Sequence, residues 1–60
     1  MQIAKITEYA RALYAAHGDK AEAEAAQKAK GFESRGDVAS AETWRAIRRA
    51  IKEFRGARAG

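Results

Sequence analysis

The sequence predicts an all-α fold: an antiparallel three-helix bundle, or a helical hairpin plus a third helix. Three observations carry this. Sixteen of the 60 residues are Ala, the best helix former, whereas strand formers are scarce, with one Val and two Thr. There is no Pro. The dipeptide Gly-Asp occurs twice, at 18-19 and 36-37. Each Gly suits the left-handed residue that ends one helix, and each Asp suits the N-cap of the next. Connections this short make consecutive helices antiparallel neighbours.

The first helix is expected over residues 3–17. Ile3, Ile6, Ala10, Leu13 and His17 recur at three-four spacing. Tyr9 and Ala16 widen that face, and Tyr14 lies beside Ala10. Lys5, Glu8, Arg11 and Ala12 fill much of the other side. The second helix is expected over residues 20–35, with Asp19 as N-cap and Glu22 as the reciprocal partner of a capping box. Its inner face is Ala21, Ala25, Ala29 and Phe32, broadened by Ala23 and Ala26. An Ala face gains little hydrophobic energy but lets a neighbouring helix approach closely. Gly31 lies inside this helix and costs about 1 kcal/mol relative to Ala. Either the helix is weak there or something packs on the bare backbone. The third helix is expected over residues 38–55, stopping near Gly56. Residues 1–56 then form one domain, with 57–60 as a frayed tail. Trp44, Ile47, Ile51 and Phe54 form the apolar stripe of this last helix. The expected core joins it to Ile3, Ile6, Ala10 and Leu13 and to the Ala face with Phe32.

Length limits what such a core can do. A chain of 60 residues buries only about 60% of its unfolded surface. The large apolar or aromatic side chains number twelve: Met1, Ile3, Ile6, Tyr9, Leu13, Tyr14, Phe32, Val38, Trp44, Ile47, Ile51 and Phe54. That is thin cover for three helices, and it predicts self-association, most simply as a two-fold dimer. Without Cys there is no disulfide, zinc-thiolate or thiol chemistry. The same lack fits a reducing cytoplasm. No apolar run approaches the roughly 18 residues of a membrane span. The opening MQIAKITEY lacks the apolar core of a signal peptide, so a cytoplasmic location is expected.

Catalytic and ligand motifs are scarce. The single His, His17, ends the first helix without Cys, or Ser and Asp at triad-like spacing, and reads as a helix-end cap or a solvated residue. Tyr9 and Tyr14 read as amphipathic rings at the edge of the core, with wet hydroxyls. Glu22 and Glu24, two apart on a helix, point in different directions. The sequence has no HExxH pair, EF-hand loop, GxGxxG or P-loop. The expectation is a protein with no enzymatic activity, no cofactor and no metal.

Two surfaces remain. The leading reading is a small protein-protein interaction module, with Tyr9, Tyr14, Trp44 and Phe54 as apolar contacts and a charged rim. The alternative comes from charge. The net charge is +4. Residues 1–44 carry six cations and seven anions, net −1, whereas residues 45–60 carry six cations and one anion, net +5. Arg45, Arg48, Arg49, Lys52 and Arg55 make a basic helix face that could follow a phosphate backbone, weakly and with strong salt dependence. Cations near a helix C-terminus also have an ordinary electrostatic explanation. A helix-turn-helix is not expected, because its buried second-helix position would hold Glu42 after Gly36 or Glu24 after Gly18. A membrane-surface helix would take Trp44 and Phe54 from the core.

Two resemblances cover parts of the chain. Tyr14, Gly18-Asp19 and Ala23 sit at spacings that resemble the helix-A end, turn and small helix-B residue of the tetratricopeptide family. Gln27 and Lys30 stand where that family has an aromatic and a small residue. This resemblance implies helical-hairpin geometry and not peptide binding. The run Tyr9-Ala10-Arg11-Ala12-Leu13-Tyr14, then His17-Gly18-Asp19, then Trp44-Arg45-Ala46-Ile47-Arg48, resembles short bacterial helical proteins of unassigned function. It implies a bacterial origin and a compact helical protein, and no particular activity.

Overall fold

The computed structural model describes residues 3–57, with side chains over 5–56. It contains three helices, α1 (Ile3–His17), α2 (Lys20–Ser34) and α3 (Val38–Ala57), and no strand among the described residues. The fold is the expected all-α three-helix bundle.

The two Gly-Asp turns use different devices. At the first, Gly18 has φ +62° and its N–H donates to the Tyr14 carbonyl at 2.7 Å, a single-bond left-handed cap. At the second, Gly36 has φ +81°. Its N–H donates to Glu33 at 3.0 Å and that of Asp37 donates to Phe32 at 2.9 Å, the bond pair of a Schellman motif. Asp37 then caps α3 as expected: its Oδ1 accepts the Ser40 N–H at 3.1 Å. Hydrogen bonds from the Ser40 side chain and from its backbone N–H hold the Asp37 carboxyl below its ordinary value of 3.8.

Asp19 does not cap α2. Its backbone is already right-handed helical (φ −63°, ψ −21°) and its side chain makes no capping bond. The Gly18 carbonyl accepts the Ala21 N–H at 3.0 Å instead. The expected capping box therefore does not form, and Glu22 turns toward α3. At the far end, α3 runs through Gly56 to Ala57, two residues past the expected last residue Arg55. Gly56 has no positive φ, so it gives no left-handed stop. The remainder of the expected tail, Arg58 to Gly60, lies outside the described residues.

The Ala face works as close-packing surface. Ala21, Ala25 and Ala29 are buried, and α2 and α3 share the largest interface. Ile47 and Ile51 are the largest fully buried side chains, and Ala10 enters the same cluster from α1. Ile6, Leu13, Tyr14, Trp44, Ala50 and Phe54 pack around it, partly exposed. Ala41, absent from the expected core, is fully buried. It lies one turn before Trp44, and its small side chain gave the apolar stripe no signal. Phe32, expected inside, is only half-buried. The side chain of Ile3 lies outside the described residues.

Candidate interaction surfaces

The aromatic residues divide between packing and surface. The Tyr9 and Trp44 rings meet edge to face, with centroids 5.6 Å apart at 89°. Tyr14 and Phe54 lie 6.4 Å apart and tilted. These two pairs tie α1 to α3 at two levels, each in the range of favourable ring contacts. Lys28 lies 5.9 Å from the Trp44 centroid and Arg11 lies 5.4 Å from that of Phe54. Tyr14, Trp44 and Phe54 are thus half-buried in the bundle. Of the four candidate interaction residues only Tyr9 is exposed, at 46%.

Tyr9 does not stand alone. With Ala12, Leu13 and Ala16 it lines a shallow, mainly apolar groove of about 230 Å³ on the outer side of α1. Ala12 and Ala16 are exposed. Sequence reasoning put Ala12 on the polar side of the helix, since Ala by itself marks neither face. The signal was the i, i+3, i+4, i+7 spacing from Tyr9 to Ala16.

The basic face is split by α2. Arg45 is bonded to the Glu33 carboxylate. Arg55 Nη1 donates to Glu22 Oε1 at 2.5 Å, and its Nε lies 3.7 Å from Asp19. Arg48 is 3.9 Å from the other oxygen of Glu22. Arg49 and Lys52 have no carboxylate partner among the described residues. So the structure brings all five expected cations to one helix but leaves only two without an ion pair. Arg45, Arg48, Arg49 and Lys52 together line a shallow groove of about 240 Å³.

Two further features complete the surface. His17 Nδ1 contacts the Glu24 carboxylate and so links the end of α1 to α2. No Asp or Glu cluster able to hold a metal occurs with it among the described residues. A depression of about 580 Å³ runs along α2 past Glu24, Gln27, Lys28, Gly31, Phe32 and Arg35. It is open to solvent, and Gly31 forms part of its floor. No described helix is long and apolar enough to cross a membrane. No family model, curated protein or solved structure matches the chain.

Proposed function

We propose that this chain is a small non-enzymatic interaction module that pairs with a second copy of itself through the outer side of α1. One observation carries the reading: Tyr9 is 46% exposed at the rim of the apolar groove shared with Ala12, Leu13 and Ala16. A two-fold axis near Ala12 and Leu13 sets the large Tyr9 of each copy toward the small Ala16 of the other. Such a patch is self-complementary, as a two-fold interface requires. Ala12 and Ala16 allow two helix backbones to approach closely, as Ala21, Ala25 and Ala29 do between α2 and α3. The thin core supports the reading, because among the described residues only Ile47 and Ile51 are large and fully buried. The Cys-free composition and the bacterial resemblance fit a bacterial, cytoplasmic setting.

Sedimentation velocity from micromolar to near-millimolar protein tests it. The expected result is a concentration-dependent shift from monomer to dimer, lost in Ala12→Glu, which sets a carboxylate on the groove. Ala12 is exposed, so the monomeric variant should keep its helical circular dichroism. A strictly monomeric wild type, or a variant that associates as well as wild type, overturns the proposal.

A further inference from the structure

We propose that the groove formed by Arg45, Arg48, Arg49 and Lys52 on the outer side of α3 holds the phosphate backbone of duplex nucleic acid. The site is independent of the α1 surface. Its lining is wholly cationic. Arg45–Arg48 and Arg49–Lys52 stand three residues apart; Arg45–Arg49 and Arg48–Lys52 stand four apart. Each such like-charged pair opposes helix formation. The fold relieves this repulsion only on the flank that faces α2. There Glu33 takes Arg45, while Glu22, whose side chain is 19% exposed, takes Arg55 and lies 3.9 Å from Arg48. Arg49 and Lys52 have no such relief among the described residues. The outward flank is therefore the place where an external anion gains most.

Geometry narrows the anion to a polymer. From Arg45 to Lys52 the helix rises about 10.5 Å. Measured along the axis of a duplex, that span corresponds to about three phosphates of one strand. A membrane surface fits less well. Entry into a bilayer needs an apolar face beside the basic one. Here the apolar half of α3 is occupied: Ile47 and Ile51 are buried, and Trp44 and Phe54 pack on Tyr9 and Tyr14. Single strands fit less well too, because their binding uses aromatic platforms for the bases. No aromatic side chain lines this groove. What is left is sequence-independent contact with a duplex backbone through Arg49 and Lys52, joined by Arg48, whose 3.9 Å approach to Glu22 is the longest of the ion pairs, with Arg45 held back by Glu33.

Fluorescence anisotropy of a labelled duplex DNA with the full chain tests the proposal. Three phosphate contacts predict weak binding whose logarithm falls with log salt at a slope of about −2.7. Arg49→Gln with Lys52→Gln should weaken binding by at least about tenfold at about 50 mM salt and flatten the slope by about 1.8. Glu33→Gln frees Arg45, so it should tighten binding and steepen the slope by about 0.9. With helical circular dichroism unchanged, such a gain reports the freed Arg45 and not a loosened chain. Absence of duplex binding at about 50 mM salt overturns the proposal, as does undiminished binding by the double variant. Equal or tighter binding to single-stranded RNA, or to phosphatidylserine vesicles, also overturns it.

Discussion

Replacing Gly31 by Ala should stabilise the protein, and the size of the effect can be worked out. Gly31 lies within α2, four residues before its C-cap, and its φ is not positive. A Cβ built there meets nothing within 4 Å. The substitution therefore removes the entropic penalty of Gly without creating a clash. The propensity difference is about 0.8–1.0 kcal/mol in a helix interior, and the last turn frays, so about 0.5–1 kcal/mol is expected. For a domain of this size that raises Tm by about 3–8 °C. Thermal unfolding followed by circular dichroism measures it, at one fixed protein concentration because self-association shifts Tm. Gly36→Ala is the internal control. With φ +81° it forces Ala into the left-handed region and should lose about 1–2 kcal/mol. An unchanged or lower Tm for Gly31→Ala refutes the reasoning. It would mean that something packs on the bare backbone in solution, in the depression that Gly31 shares with Lys28 and Phe32.

Other expectations follow from the same structure. Ile51→Ala removes a fully buried side chain and should cost about 2–5 kcal/mol, out of about 3–9 kcal/mol for a chain of this length. Urea titration should show it largely unfolded or with a sharply reduced midpoint. Glu22→Gln should cost about 0.5–1 kcal/mol by chemical denaturation, with the difference shrinking at high salt, because the Arg55 pair is exposed on one side. Asp37→Ala should lower Tm at neutral pH. Its folded-state pKa is depressed, so its contribution is present above the unfolded value of 3.8 and is lost as pH falls through the lower folded value. Wild type and Asp37→Ala should therefore converge in Tm below about pH 4, and a constant difference down to about pH 2 would refute the cap.

The helices were legible because their punctuation is local. Gly18, Gly36 and Asp37 act on the residues next to them, and the Ala spacing of α2 needs no tertiary knowledge. Asp19 failed because the two Gly-Asp turns are identical as dipeptides but not in length. Two residues separate α1 from α2, whereas three separate α2 from α3. After the longer connection Asp37 sits outside the helix and its side chain reaches forward to Ser40. After the shorter one Asp19 already has helical backbone angles and makes no capping bond. Phe32 and Ala41 illustrate the other gap. Which of two small or large residues on one stripe is buried depends on how α1 leans, and α1 leans on α3 more than on α2. The Tyr9–Ala16 groove was hidden for the same reason, since exposed and buried Ala read alike.

The sorting of the Arg residues is a question of register rather than of composition. Arg45 and Arg49 sit one turn apart on the same helix, with the same side chain. Among the described residues only Arg45 of the two has a carboxylate partner. The acids responsible are on α2: Glu33 near the turn meets Arg45, and Glu22, eleven residues back, meets Arg55, ten residues on. Nearly equal steps in opposite directions are what antiparallel helices of equal rise require. Sliding α3 by one turn would put Glu22 and Glu33 opposite different cations and bare others. The buried contacts of Ala21, Ala25 and Ala29 with the α3 stripe oppose such a slide, because the close approach depends on small residues at those places. The core thus fixes the register, the register selects which α3 cations are neutralised, and Arg49 and Lys52, without a carboxylate partner among the described residues, define the charged surface of α3 open to a partner.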